Sequence, residues 1–180
     1  MITKLDPAQY RRTPWTNGGG TTIDIAGQDD VWRFGRTPIT APGPFSDYSG
    51  FDRLQVLVAG RGLVLETPDG EIDVRAPFKP VRFAGETPIR SRLEAGPVEV
   101  VNLIGARSAV RITLEVLQPG GTQTKEAGTH IAYAAADAAL AIDGESHLLA
   151  ADHALHIAAQ RPTMIACTGG VLLLGSVICV

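Results

Sequence analysis

Residues 69–104 read DGEIDVRAPFKPVRFAGETPIRSRLEAGPVEVVNLI, and residues 143–178 read DGESHLLAADHALHIAAQRPTMIACTGGVLLLGSVI. The second segment lies 74 positions after the first (143 − 69 = 74) and aligns with it without a gap. Eight of the paired residues are identical, where about two would be expected by chance. The Asp-Gly turn that opens each segment and the apolar alternation that follows it also coincide. Self-similarity at a fixed spacing indicates a duplicated structural unit.

The repeat extends upstream with a displacement of 77, which places Leu63 on Leu140 (140 − 63 = 77). The two copies span about 31–106 and 107–180. Each consists of short apolar runs separated by turn residues, and the chain holds 20 Gly and 12 Pro. No run has a convincing helical period, so the pattern predicts an all-β protein made of two small jelly-roll barrels.

Composition excludes several classes of function. The net charge is −3 and the basic residues are scattered, so we expect no nucleic-acid partner. The N-terminus has no apolar signal-peptide core and the apolar run 171–180 is too short to span a bilayer, so we expect no membrane partner. Cys167 and Cys179 lie in apolar, strand-like context and predict buried free thiols in a reducing compartment, the cytoplasm.

One segment outside the repeat has unusual chemistry: Pro14-Trp15-Thr16-Asn17-Gly18-Gly19-Gly20-Thr21-Thr22. Three successive glycines leave backbone N–H groups uncovered, and such a segment can cradle an anion. The alternative is a flexible hairpin turn. Because ordering a glycine-rich loop costs backbone entropy, Trp15 is expected to anchor it over the first barrel, close to Arg53 and Asn102.

Short motifs spread over residues 8–106 resemble the HutD/Ves family. They are Pro14-Trp15-x-Asn17-Gly18-Gly19-Gly20-x-Thr22, Trp32-Arg33, Gly43-Pro44-Phe45-Ser46, Gly50-x-Asp52-Arg53, Phe83-Ala84-Gly85 and Gly96-Pro97-Val98-x-x-x-Asn102-Leu103. The sequence departs from the family pattern at residues 34–38, where a pocket wall is expected to differ.

The resemblance implies a bacterial protein with a two-cupin fold (a bicupin of RmlC-like jelly rolls, or double-stranded β-helices) and a role near histidine utilisation. We therefore expect an N-terminal cupin barrel over residues 1–106, which includes the glycine loop, and a C-terminal cupin barrel over residues 107–180. The two barrels are expected to pack as one compact unit.

Catalytic and metal chemistry find little support. Many cupins hold a metal through histidines and a carboxylate, but the first copy contains no histidine, and the second has His130, His147, His153 and His156. His153 and His156 are three apart, which puts them on opposite faces of a strand. No Gly-x-Ser-x-Gly elbow is present. We expect no metal, no cofactor and no catalytic residue.

Binding of a small carboxylate is better supported, because the first copy carries flat aromatic rings, guanidinium groups and neutral donors. The candidate ligand-binding residues are Trp15, Asn17, Gly18, Gly19, Gly20, Trp32, Arg33, Arg36, Phe45, Ser46, Asp52, Arg53 and Asn102.

The function expected from these residues and the resemblance is that of a non-enzymatic bicupin. It would bind a small carboxylate or imidazole metabolite and act as a sensor or modulator linked to histidine utilisation. The alternatives are a metal-independent enzyme, an isomerase or hydrolase acting on a small metabolite of that pathway, and a structural protein that binds a partner through its loops. A homodimer is possible.

Overall fold

The computed structural model describes residues 1–15 and 18–180, and these residues form β-strands joined by short turns. Their only helical segment is a 3₁₀ turn, Pro7–Gln9, which Asp6 caps by accepting a hydrogen bond from the Ala8 N–H at 2.8 Å. The strands are β1 (Ile2–Leu5), β2 (Arg11–Pro14), β3 (Thr21–Gln28), β4 (Trp32–Ile39), β5 (Gly43–Pro44), β6 (Phe51–Ala59), β7 (Leu63–Thr67), β8 (Gly70–Val74), β9 (Val81–Ala84), β10 (Arg90–Leu93), β11 (Val98–Ala106), β12 (Val110–Leu117), β13 (Thr122–Lys125), β14 (Gly128–Tyr133), β15 (Ala138–Ile142), β16 (Glu145–Leu149), β17 (Ala154–Ala159), β18 (Thr163–Gly169) and β19 (Leu172–Cys179).

The chain divides into two units. The first unit is Arg11–Ala109, and the second unit is Met1–Tyr10 together with Val110–Val180. The first ten residues therefore lie with the second unit, whereas the sequence had assigned them to the N-terminal barrel. The reason is strand pairing, since β1 adds antiparallel to β17 with Ile2 opposite Ile157.

Each unit contains two antiparallel sheets with the same strand order. In the first unit the sheets are β2-β3-β4-β11-β6-β9 and β5-β10-β7-β8. In the second they are β1-β17-β14-β19-β12 and β13-β18-β15-β16. The sheets differ only in the added outer strands, β1 on one and β2 and β3 on the other. The all-β fold of two duplicated, cupin-like jelly rolls is confirmed.

The strand register agrees with the repeat read from the sequence. Leu63 lies opposite Leu93 in the first unit, and Leu140 lies opposite Cys167 in the second. Positions 93 and 167 differ by the same 74 that separates the two copies. Leu63 and Leu140 thus occupy equivalent positions, and both are fully buried in the apolar core of their own unit.

The two cysteines are free, but only one is buried. Cys167 lies in the core of the second unit, whereas Cys179 is exposed. The expectation of two buried thiols was wrong for Cys179, because this residue ends β19 at its pairing with the edge strand β12.

No helix in residues 1–15 and 18–180 is long and apolar enough to cross a membrane.

Candidate functional site: a cationic cleft in the first unit

A cleft opens in the first unit, with an empty volume of about 510 Å³ including the solvent at its mouth. Strands β3, β4, β6 and β11 and the 45–48 loop form its walls, together with Trp15. The lining residues are Trp15, Thr22, Arg33, Gly35, Thr37, Ile39, Phe45, Ser46, Tyr48, Arg53, Gln55, Val100, Asn102 and Ile104.

Strand alternation decides which side chains reach the cleft. Along β4 the odd-numbered positions 33, 35, 37 and 39 line it, and along β11 the even-numbered positions 100, 102 and 104 do so. On β6 the residues that line the cleft are Arg53 and Gln55. Successive side chains of a strand point to opposite faces, so their immediate neighbours point away from the cleft.

Arg53 is held by three aromatic rings. Its guanidinium carbon lies 5.0 Å from the ring centre of Phe45, 5.4 Å from that of Tyr48 and 5.1 Å from that of Phe83. A guanidinium within about 6 Å of an aromatic ring is attracted to it electrostatically. The rings therefore hold the side chain in place, and its N–H groups are the part of the cation that can donate hydrogen bonds.

The charge of Arg53 has no counterion in the described part of the chain. The side chain is only 7% exposed, and its Nε has no hydrogen-bond partner there. Its Nη1 donates one long bond, 3.5 Å, to the carbonyl of Ser46. Burial lowers the pKa of Arg53 to about 10, and the electrostatic influence of the nearby Tyr48 phenol group offsets part of this shift, so the side chain stays protonated at neutral pH.

Asp52, the neighbour of Arg53, does not neutralise it. Asp52 points to the other face of β6, where its carboxylate pairs with Arg82 at 2.5 Å and with Arg107 at 3.2 Å. Asp52 and Arg53 therefore form no ion pair with each other in the described part of the chain.

The loop that carries Tyr48 is anchored on Gly85. The Tyr48 N–H donates to the Gly85 carbonyl at 3.0 Å, and the Gly85 N–H donates to the Phe51 carbonyl at 2.8 Å. A Cβ on Gly85 would stand 2.2 Å from the carbonyl oxygen of Tyr48, so no larger residue is accommodated without moving the loop. This contact positions one of the rings that hold Arg53.

Trp15 lies against the cleft as the sequence predicted. Its indole N–H donates to the Thr22 hydroxyl at 3.0 Å, which in turn lies 3.1 Å from the Thr37 hydroxyl. Its backbone N–H donates to the Gly20 carbonyl at 2.9 Å. A Cβ on Gly20 would lie only 3.0 Å from the Trp15 ring, so a glycine at this position leaves the space that the indole occupies.

A second arginine lines the cleft, but its charge is balanced. Arg33 Nε lies 3.4 Å from the buried carboxylate of Asp24, and its Nη1 donates to the Tyr48 hydroxyl at 3.4 Å. Arg11 reaches the same carboxylate at 3.5 Å. The uncompensated positive charge of the cleft is thus concentrated at Arg53.

Two buried amides lie beside Arg53. Gln55 Nε2 donates to Asn102 Oδ1 at 3.0 Å across the β6–β11 pairing. The Gln55 Oε1 atom is buried and has no hydrogen-bond partner among the described residues. The cleft therefore combines a cation with an incompletely satisfied pair of amides.

Six of the predicted site residues line the cleft: Trp15, Arg33, Phe45, Ser46, Arg53 and Asn102. Trp32, Arg36 and Asp52 do not, because alternation turns them to the opposite face of their strands. Arg36 there pairs with Glu99 at 2.5 Å. Gly18, Gly19 and Gly20 are also outside the lining, and Asn17 lies outside the described residues.

The sequence interpretation missed several lining residues, and the principal ones are Tyr48 and Gln55. Gln55 could have been predicted from the sequence, since it follows Arg53 by two positions on the same strand and must share its face. Tyr48 had no comparable signal, because its place depends on the contact with Gly85, 37 positions away (85 − 48 = 37).

No group of three or more His, Cys, Asp or Glu residues with metal-binding geometry occurs within residues 1–15 and 18–180. His130 is buried in the second unit, with Nδ1 2.9 Å from the Ser176 hydroxyl and Nε2 3.0 Å from the Glu126 carbonyl. Burial lowers the pKa of His130 below its ordinary value.

The model of the HutD family matches residues 7–174. This chain belongs to the HutD family. It is 30% identical over 150 residues to an uncharacterized 21.2 kDa protein in the hutC 3' region of Pseudomonas putida, covering 80% of this chain and 74% of that protein.

Solved structures of similar proteins share the fold. A conserved protein of unknown function from Pseudomonas aeruginosa PAO1 matches with a TM-score of 0.87 and 24% identity over 98% of both chains. HutD from Pseudomonas fluorescens SBW25, determined in a formate condition, matches with a TM-score of 0.86 and 23% identity over 100% of both chains. A salicylate 1,2-dioxygenase from Pseudaminobacter salicylatoxidans matches with a TM-score of 0.63 and 7% identity, covering 95% of this chain and 84% of that one.

Proposed function

We propose that this protein binds a small carboxylate metabolite in the cleft of the first unit and acts as a sensor or modulator linked to histidine utilisation. The observation that carries the proposal is the buried, uncompensated charge of Arg53 on the cleft wall. A buried charge without a partner is unfavourable, and an anion in the cleft would relieve it.

A carboxylate matches the geometry of the Arg53 guanidinium. The rings of Phe45, Tyr48 and Phe83 occupy the surroundings of the guanidinium and leave its edge available. A planar carboxylate can accept two parallel hydrogen bonds from such an edge. The apolar side chains of Ile39, Val100 and Ile104 provide room for a short carbon skeleton.

The comparisons supply the biological context. The P. putida relative is named for its place beside hutC, and the similar HutD structure was determined in a formate condition, formate being the smallest carboxylate. Carboxylates of histidine breakdown, such as urocanate and N-formylglutamate, are therefore the natural candidates. A cytoplasmic location belongs to the same proposal.

Isothermal titration calorimetry tests the proposal. Formate, urocanate and N-formylglutamate are titrated into the protein, with formamide and acetamide as uncharged controls. We expect at least one carboxylate to bind with a stoichiometry of about one per chain, and the controls to give no comparable heat. Failure of every carboxylate would remove the proposal, and conversion of a bound compound into product would favour the enzymatic alternative.

A further inference from the structure

The amide pair beside Arg53 has hydrogen-bonding capacity that residues 1–15 and 18–180 do not use. Gln55 is 1% exposed and Asn102 is 7% exposed, and both line the cleft. One hydrogen bond joins them, from Gln55 Nε2 to Asn102 Oδ1. Whichever way round the two amides are, a single bond between them leaves one acceptor, here the buried Gln55 Oε1, and one NH₂ group without a partner among the described residues. Such groups are costly to bury unless something else pairs with them.

The second unit shows that the fold does not need an amide at this position. In the first unit Gln55 lies opposite Val81, and in the second Ala132 lies opposite Leu155. The displacements are those of the repeat (132 − 55 = 77 and 155 − 81 = 74). Ala132 is fully buried. The equivalent position thus takes a small apolar residue in one copy and a buried glutamine in the copy whose cleft is lined by Arg53.

Arg53 and Gln55 are two residues apart on one face of β6, so their Cα atoms are about 6–7 Å apart. A short ligand can therefore reach both side chains. We infer that Gln55 and Asn102 form a second subsite, which recognises a ligand group carrying both a hydrogen-bond donor and an acceptor. The inference rests on the proposed carboxylate site and narrows its ligand to short carboxylates that also carry an amide, imidazole or similar N–H group.

Two simple, commercially available probes, N-acetylglycine and levulinate, differ in a single group. N-acetylglycine has an N–H where levulinate has a CH₂, and the two share the carboxylate, the ketone-like carbonyl and the length. Wild-type protein should bind N-acetylglycine about tenfold or more tightly than levulinate, because levulinate leaves the buried acceptor unpaired. In Gln55→Met, which keeps the length of the side chain and removes the acceptor, the two affinities should become similar.

Two control variants separate this effect from a general loss of binding. Gln118→Met, an exposed position in the second unit, should keep the wild-type preference. Arg53→Met should weaken both probes by the same factor, because both carry the carboxylate.

Thermal unfolding separates a binding role from a structural one. Replacing both partners in Gln55→Met/Asn102→Leu removes the unpaired groups together, so the melting temperature of the free protein should stay the same or rise. A clear fall would assign the pair a structural role and overturn the subsite. Two other results would also overturn the subsite and leave the carboxylate site intact. In the first, formate or urocanate binds and the protein does not discriminate between N-acetylglycine and levulinate. In the second, formate or urocanate binds and neither probe does. If no carboxylate binds at all, both proposals fail.

Discussion

Arg53→Met is the most direct perturbation of the cleft. Methionine is flexible and packs well against aromatic rings, so it can fill the space between Phe45, Tyr48 and Phe83 without a buried charge. The folded structure should therefore survive, while the cation that we propose to bind the carboxylate is lost.

The expected size of the effect follows from the chemistry of the contact. A hydrogen bond to a charged group contributes about 1.5–3 kcal/mol, so the dissociation constant should rise about 10- to 150-fold. At a ligand concentration of 100 times the wild-type dissociation constant, binding stabilises the wild type by about 2.7 kcal/mol and the variant by only about 0.3–1.4 kcal/mol. With about 2–4 °C per kcal/mol for a chain of this length, the melting temperature should rise by about 5–11 °C in the wild type and about 1–6 °C in the variant.

Tryptophan fluorescence is the appropriate assay, because the chain has two tryptophans and both lie in the first unit. The signal therefore follows unfolding of the unit that holds the cleft. The control variant is Arg61→Ala, which also removes one arginine but at an exposed turn of the same unit. Its ligand-induced shift should equal that of the wild type. Equal ligand-induced shifts in wild type and Arg53→Met would refute the assignment of Arg53 as the carboxylate anchor.

Three further outcomes are expected. Carboxylate affinity should be constant from pH 6 to 9 and fall as the pH passes about 10, where free Arg53 loses its proton; a flat calorimetric profile to pH 11 would contradict this. Gly85→Ala should lower the free energy of unfolding by about 1–3 kcal/mol in urea titrations, because its Cβ meets the Tyr48 carbonyl, whereas Gly43→Ala, with open space around the new Cβ, should not. Burial lowers the pKa of His130 in the folded state below its ordinary value of 6.5, so the folded chain binds that proton less readily than the unfolded chain. Protection of the β14 amides from hydrogen exchange should therefore be complete above pH 6.5 and decrease as the pH falls below it, and less so in His130→Gln.

Features that depend on local pattern could be predicted from the sequence. The Asp-Gly turns and the alternation around Leu63 and Leu140 predicted the duplication, and the strands and their shared order agree with it. These signals are readable because a turn and a strand each depend on a few neighbouring residues.

The cleft could be predicted only in part. Arg53 and Asn102 were chosen for their chemistry, whereas Trp32 and Arg36 were chosen by residue type although alternation places them on the face opposite Arg33. The ring of Tyr48 and the pairing of Gln55 with Asn102 depend on contacts between distant segments. Such contacts leave no periodic signal in a single sequence.

The missing counterion of Arg53 has a consequence for how long the protein survives in a cell. In the free chain the Arg53 cation is buried without a counterion among the described residues, which is unfavourable, whereas in the proposed complex the ligand's carboxylate would pair with it. Proteases that act on transiently opened chains cleave in proportion to the population of the open form. The empty protein would then be removed faster than the loaded one, so that its abundance would follow the supply of the ligand without any change in synthesis.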